Sequence, residues 1–439
     1  MLCWSMDNLS IWENLSICLF IYFFFDFLLN LGQRIIIMEL AIILAALTCM
    51  LMPVIFYHVY TKDNFLAHLW DKYMPISSDD YFSYVDPAIV AMAIGLRIPM
   101  GKLDVNKSPL TYINNVKKLL ENKPSLGLSL IATGVISGAL DFLSPESLKQ
   151  VFYFLAHLTY VGVFYVIYSP SKYKRIIVPS VIVLMVGQTL VTGMFGDFIY
   201  ILACSLILIL LGTKFQFYKK FLVALVGVFF ILVIQSVKTD YRERVWGGSG
   251  ADPAYYFQLV SEKIASPSSL FDPTKSFFMA VRLNQGWLIA KTMYNVPEKH
   301  EFAHGETIWQ SVAAAIVPRF LWPDKPESGG KANLKRFWGF NLVGFSMNIG
   351  PFGEGYANFD VGGGIAFMFF YGLFFNLVLS LVIKLAEKRP TIILWVPFLF
   401  FYAISVETDL LTTMGSLLKG LFFTWIIFRA FRIAFRIDL

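Results

Sequence analysis

The sequence predicts an all-α polytopic membrane protein, with about eleven transmembrane helices and one large helical loop outside the cytoplasm. Three observations carry this. Apolar residues make up 57% of the chain and charged residues 15%, against roughly 45–50% and 25% in soluble domains. Apolar runs of about 20 residues, the length that crosses a bilayer, recur along the chain. Between these runs the basic residues gather in every second short loop.

The expected spans are 15–32, 36–60, 84–100, 126–144, 150–168, 176–194, 197–212, 221–237, 361–384, 391–405 and 411–428. The first is set apart from the others because it carries Asp26 and Met38 offers an alternative start after it. It is too long and too rich in Phe for an ordinary signal peptide, and no small-residue cleavage site follows it.

Orientation follows from the short loops. Lys102, Lys107, Lys117, Lys118 and Lys123 precede the fourth span. Lys172, Lys174 and Arg175 follow the fifth, and Lys214, Lys219 and Lys220 follow the seventh. Lys384, Lys388 and Arg389 follow the ninth, and Arg429, Arg432 and Arg436 close the chain. The positive-inside rule makes these five places, including the C-terminus, cytoplasmic. The intervening loops are neutral or acidic: Pro145-Glu146, Gly196-Asp197, and Glu407 with Asp409.

The chain then divides into three parts. Residues 1–237 form a bundle of about eight helices, 238–360 the extracytoplasmic loop, and 361–439 a bundle of about three. A loop of about 120 residues is usually functional. It holds two helix-like stretches, 274–294 and 305–317, and Pro318 and Pro323 end the second. There is no internal repeat. Cys3, Cys18, Cys49 and Cys204 lie in or near apolar runs, so no disulfide framework is expected.

Two constellations in the loop point to chemistry. One is Pro318-Arg319-Phe320-Leu321-Trp322-Pro323-Asp324-Lys325-Pro326. Its three prolines stiffen a turn that presents Arg319, Trp322 and Lys325. Further cations are Arg242 and Arg244 at the loop's start, Lys275 and Arg282 on one helical face, and Lys331, Lys335 and Arg336. Arg matches phosphate oxygens with a planar fork and Lys with a point charge. The competing reading of each cation is a solvated surface or attraction to anionic lipid.

The other constellation is Gly350-Pro351-Phe352-Gly353-Glu354-Gly355-Tyr356-Ala357-Asn358-Phe359-Asp360, leading into Gly362-Gly363-Gly364. An acid so close to the membrane is costly unless paired or useful. A capping role for Glu354 competes with proton transfer. His300 and His304, four apart, lack enough companions for a metal site. Within the spans, Asp26, Arg97, Asp141, His157 and Lys419 are explained equally by pairing and by function.

At these two constellations the chain resembles the O-antigen polymerases, the Wzy-type oligosaccharide repeat-unit polymerases. The matching residues are Pro318-Arg319, Trp322-Pro323 and Lys325-Pro326, then Gly353-Glu354, Tyr356 and Asn358-Phe359. Lys238, Arg242 and Trp246 at the start of the loop and Arg282 within it fit as well. Asp360 stands where that family often carries glycine. Many relatives place an Arg beside a Thr-Gly pair, whereas Thr192-Gly193 here has none following it.

The resemblance implies a GT-C-like architecture in the bacterial inner membrane, with the loop 238–360 on the periplasmic side. The implied activity is metal-independent glycosyl transfer. The growing glycan leaves its polyprenyl diphosphate and joins a second lipid-linked repeat unit. Donor and acceptor are then both polyprenyl-diphosphate-linked oligosaccharides, with a chain-length regulator and a flippase as candidate partners. No cofactor, metal or nucleic acid is expected.

Under this reading Arg282 and Arg319 stabilise the departing diphosphate and Glu354 is the general base, with His304 and Glu327 behind it. Arg242, Arg244, Lys325, Arg336, Tyr356 and Asn358 bind substrate. The alternatives are ligase-like transfer of the glycan to lipid A, a transporter or flippase of lipid-linked oligosaccharide, and a non-catalytic scaffold.

Overall fold

The computed structural model describes residues 9–101, 109–145, 148–193, 195–213, 215–270, 273–319, 321–341 and 346–435. Lys102, Lys107, Glu146, Lys214, Phe320 and Arg436 lie outside them, as do the side chains of Lys275 and Asp197. Helices joined by turns and irregular loops make up the described residues, with no strand among them.

Seven helices are long and apolar enough to cross a bilayer: Ile11–Asn30, Ile37–Val59, Lys149–Tyr168, Lys174–Thr192, Phe217–Ser249, Gly350–Leu385 and Leu410–Ile433. An eighth results if the pair Leu110–Glu121 and Leu126–Leu140, bent by 86°, counts as one span. Four expected spans fall short on their own for physical reasons. The helix over 84–100 is Ser78–Arg97 and carries Asp79, Asp80, Asp86 and Arg97. The segments 126–144, 197–212 and 391–405 form apolar helices that are too short.

Local chemistry sets the boundaries. The first helix begins at Ile11 rather than 15 because Ser10 and Glu13 form a reciprocal capping box. The second opens into a π-helical turn at Leu47–Leu51. Pro53 lacks an amide hydrogen, so it gives nothing to the Cys49 carbonyl; that oxygen accepts instead from the Tyr81 hydroxyl at 2.9 Å. The neighbouring Thr48 carbonyl accepts from the Gln285 amide at 3.0 Å. That contact docks the large loop onto the bundle.

The docking also splits the expected loop helix 274–294 into Pro273–Leu283 and Gly286–Asn295. The fully buried Asn284 accepts from the Trp287 amide at the break. Gly286 sits so close to Pro53 and Tyr81 that a Cβ there would approach each within 2.3 Å. The expected helix 305–317 is Glu306–Ile316. Pro253–Ala265, capped by Asp252, and Lys331–Trp338 are further loop helices.

The Gly350–Leu385 helix is two arms. At Asp360 the backbone turns to φ 60°, ψ −169°, a conformation almost reserved for glycine. The first arm, 350–359, folds back on the second, 361–385. The Tyr84 hydroxyl fixes the fold by donating to the Phe352 carbonyl at 2.6 Å. The second arm packs along Ser78–Arg97 through small residues. A Cβ on Gly95 would come within 2.3 Å of the Phe369 carbonyl oxygen, and one on Gly372 within 2.3 Å of that of Met92. Close backbone approach of this kind joins helices where lipid gives no hydrophobic drive.

Polar contacts collect at the two ends of the bundle. At one end Asp26 pairs with Arg97 at 2.6 Å, Lys220 donates to the Leu29 carbonyl at 2.9 Å, and Asn376 donates to the Ile98 carbonyl at 2.8 Å. Lys384 and Arg389 follow at that end of the Gly350–Leu385 helix. The large loop meets the other end. There Tyr60 bonds Ser276 at 3.2 Å, Lys291 pairs with Asp71, and Asp409 binds the loop backbone. The charges expected inside spans are thus partly paired with one another, Asp26 with Arg97.

Candidate functional site

Asp409 organises the loop end of the bundle. One carboxylate oxygen accepts from the amides of Gly329 and Gly330 at 2.8 and 2.6 Å. The other accepts from the Thr412 amide at 2.6 Å and so caps the final helix, Leu410–Phe435. Gly329 and Gly330 both have positive φ, 100° and 77°. A turn of that shape suits glycine and presents both amides to one acceptor. This clamp separates two recesses.

The larger recess has an empty volume of about 1040 Å³ and mixes polar and apolar surface about equally. Its walls include Tyr200, Gln285, Ser328, Asn348, Ser405 and Glu407. Glu407 accepts from the Tyr200 hydroxyl at 3.3 Å and from the Gln285 side-chain amide at 3.4 Å. Arg282 precedes Gln285 by three residues and lies within the electrostatic reach of Glu407. The surrounding protein holds the Arg282 guanidinium below its ordinary pKa, and Glu407 opposes that effect.

Arg242 lies near enough to Arg282 for the two charges to repel. Its Nε donates to the Gly193 carbonyl at 2.6 Å, and its guanidinium stacks on Trp246 at 4.6 Å. Trp246 itself donates to the Thr192 carbonyl at 3.1 Å. The Thr192-Gly193 corner has no Arg following it in sequence, yet Arg242 occupies it in space.

Phe401 and Tyr402 line this recess and also a second cavity of about 540 Å³ among the spans. The second is strongly aromatic, lined by Phe154, His157, Phe164 and Phe398 among others. A polar chamber at the loop end thus shares two walls with an apolar one inside the bundle.

The recess on the other side of the clamp, about 510 Å³, is lined by Thr307, Glu327, Asn333, Arg336 and Asp409, among others. Beside it lies Glu354, fully buried, with neither carboxylate oxygen in close, well-aligned hydrogen-bond geometry with a described partner. Thr307, Asn333 and the Leu410 amide are its polar neighbours, and Asp409 is close enough to repel it. A buried acid in this condition is costly. Such acids recur where proton transfer is needed.

The remaining expected residues are placed as follows. Asn358 spends its hydrogen bonds inside the protein: Oδ1 accepts from the Gly305 amide at 3.0 Å, and Nδ2 donates to Thr307 Oγ1 and the Glu354 carbonyl at 2.8 Å each. Tyr356 is buried and donates to the Val296 carbonyl at 3.3 Å. Arg244 pairs with Asp252 at 2.8 Å and stacks on Tyr255. Lys325 donates to the Ala314 and Val317 carbonyls at 2.8 Å each, which closes the Glu306–Ile316 helix. Burial, then Arg319, lowers the pKa of that ammonium. Arg319 is exposed and donates to the Pro323 carbonyl at 3.3 Å. His304, with φ 45°, turns the chain before Gly305.

Arg336 and Glu354 therefore lie at the Asp409 clamp, Arg282 lies near Glu407 with Arg242 beside it, and Arg319 and Lys325 keep company with Lys419 in the final helix. Sequence reasoning missed Glu407, Asp409, Tyr200, Gln285, Thr307 and Asn333. The one available signal is the acidic pair Glu407 and Asp409 in an otherwise apolar stretch, which the charge pattern by itself marks only as a loop opposite the basic ones.

Fold and site together define a helical, membrane-embedded protein with a polar chamber at one end of its bundle. Residues 30–389 match the family described as a domain of unknown function (DUF8712), and the chain belongs to that family. Neither a curated protein nor a solved structure matches it.

Proposed function

We propose that this protein polymerises polysaccharide repeat units, moving a growing glycan from its polyprenyl diphosphate to a second lipid-linked unit on the outer side of the bacterial inner membrane. The observation that carries the reading is the pair of neighbouring cavities that share Phe401 and Tyr402 as wall residues. A polar chamber flanked by two arginines suits a sugar diphosphate, and the aromatic cavity sharing Phe401 and Tyr402 suits its isoprenoid tail. The count of eleven spans, the periplasmic side of the loop and the GT-C-like architecture belong to the same proposal, as does the resemblance to O-antigen polymerases.

The chemistry runs as follows. Breaking the glycosidic bond leaves negative charge on the diphosphate. Arg282, within the field of Glu407, and Arg242, held by the Gly193 carbonyl, stabilise that charge as it grows. The acceptor hydroxyl enters from the recess beside Glu354, which takes its proton. Holding both lipid-linked reactants in one bilayer removes much of the entropic cost of their meeting.

The test is reconstitution in lipid nanodiscs with a synthetic polyprenyl-diphosphate repeat unit, scored by chain length. A ladder of products supports the reading. Transfer only to added lipid A indicates a ligase. Movement of the intact lipid across a vesicle, with no new glycosidic bond, indicates a transporter.

A further inference from the structure

The cations that the chamber does not use form a second group. Thr307, at the start of the Glu306–Ile316 helix, neighbours Glu354 beside the Leu410 amide. From there the helix runs along Leu410–Phe435, its buried face made of Thr307, Ser311, Ala314 and Ala315. The opposite face is apolar and open: Trp309 is 72% exposed, Ile316 64%, and Leu321 just beyond it 67%. The Pro-rich turn 318–326 then reverses the chain, which climbs back to the clamp at Gly329 and Gly330.

Thr307 lies with Asp409 and Leu411 at one end of this packed pair of helices, and Lys325 is tied to Ala314 and Val317 at the other, which brings the hairpin tip level with Lys419, nine residues into the final helix, or about 14 Å along its axis. Lys325 and Arg319 are the charges that Lys419 feels. Among the described residues no carboxylate pairs with any of the three. Lys419 donates to the neutral Gln150 side chain at 3.2 Å. Lys325 is pinned by two carbonyls, and both Arg319 and Lys419 are exposed. Three cations held together without a counter-charge beside a lipid-facing surface are unfavourable unless an anion joins them.

We propose that Arg319, Lys325 and Lys419 form a lateral binding site for the phosphate of a membrane glycerophospholipid. Its acyl chains run down the surface offered by Ile316 and Leu321 on one side and the exposed Phe422 and Trp425 on the other. A lipid fits better than a sugar-bearing substrate, because the exposed side chains flanking these cations in sequence, Ile316, Leu321 and Phe422, are apolar. The site stands independently of the polymerase reading. Its role is to seat the hairpin against the bilayer, and with it the Gly329-Gly330 turn that Asp409 holds.

The test uses the full-length protein, delipidated in detergent, and reads binding by native mass spectrometry and by thermal shift. Three probes are added: phosphatidylglycerol, diacylglycerol of the same chains, and inorganic phosphate. Wild type should bind phosphatidylglycerol and ignore diacylglycerol. The double variant Arg319→Gln with Lys419→Gln should bind it at least about tenfold more weakly, as expected when charge-assisted phosphate contacts are lost. Arg319→Lys with Lys419→Arg should retain binding. Should the double variant not purify, Arg319→Gln alone reads the same site, since that exposed side chain has one weak bond to the backbone. Equal affinity in wild type and variant overturns the proposal. So does equal binding of diacylglycerol. Saturation by inorganic phosphate alone overturns the lipid assignment and leaves a soluble-anion site.

Discussion

A Cβ atom on Gly364 would come within 3.2 Å of the Gly355 carbonyl carbon, so two glycines nine residues apart meet face to face. The meeting exists because the chain doubles back at Asp360. It carries Glu354 into the interior beneath the loop. The Tyr84 ring seals the other side, 2.8 Å from the same built Cβ.

Asp360 holds this reversal at a φ of 60°, where a side chain costs about 1–3 kcal/mol. Asp360→Gly should therefore be more stable than Asp360→Ala by about 1 kcal/mol or more, a gap of a few degrees in thermal unfolding. Equal midpoints for the two variants would mean that the backbone there is not strained.

Gly364→Ala tests the packing itself. The added methyl has nowhere to go between Tyr84 and Gly355, and overpacking of this kind costs about 1–3 kcal/mol. Pairing it with Tyr84→Phe removes the hydroxyl 2.9 Å from the added Cβ but also its hydrogen bond to the Phe352 carbonyl, so at most part of the loss should be recovered. Full recovery would place the clash on the hydroxyl alone rather than on the backbone.

Glu354→Gln keeps size and burial but cannot take a proton. Glycan transfer should slow by about two orders of magnitude or more, while the affinity for lipid-linked substrate stays within about twofold. Lost binding with an unchanged rate per bound substrate would make Glu354 an orienting group, and the base would lie elsewhere.

Lys72 offers a pH-dependent readout away from the chamber. Its ammonium stacks 3.7 Å from the Trp287 ring centre where the loop docks. Burial first, then the charge of Lys291, pushes its pKa down to about 8 from the ordinary 10.5. Between those values the unfolded chain binds more protons than the folded one, so this residue's contribution to stability rises with pH across that window and is flat below it. Thermal unfolding at about pH 7 and about pH 9.5 should show wild type gaining on Lys72→Met at the higher pH. A constant gap would refute the depressed pKa.

Much of the fold could be read from the chain, because spans obey a length and polarity rule that single residues seldom break. Every expected apolar run is helical, though 391–405 only in short pieces, and the loop helix Glu306–Ile316 stops before Pro318. The misplacements have local causes. Ser10 with Glu13 extends the first helix, and Asn284 with Gly286 breaks the loop helix where it docks. The site was legible only in part. Arg282, Arg242 and Glu354 were singled out by type and position, but their grouping depends on Asp409 and Glu407, more than 50 residues further along. Asn358 and Tyr356 looked like sugar ligands, yet their polar atoms are spent on the Gly305 amide and the Val296 carbonyl. Nothing in sequence spacing distinguishes a polar group that faces a cavity from one that stitches a turn.

The side on which the loop lies can be measured in intact cells. Ser328→Cys, exposed on the chamber wall, should react with a membrane-impermeant maleimide, whereas Lys388→Cys should react only after lysis. The reverse pattern would put the chamber in the cytoplasm.

The most direct test of the central claim is the release of polyprenyl diphosphate by purified protein in nanodiscs, comparing wild type with Arg282→Ala, Arg242→Ala and the double variant. The account predicts a loss of about 100-fold or more in release for each single variant, with substrate still bound. Undiminished release in the double variant would contradict it.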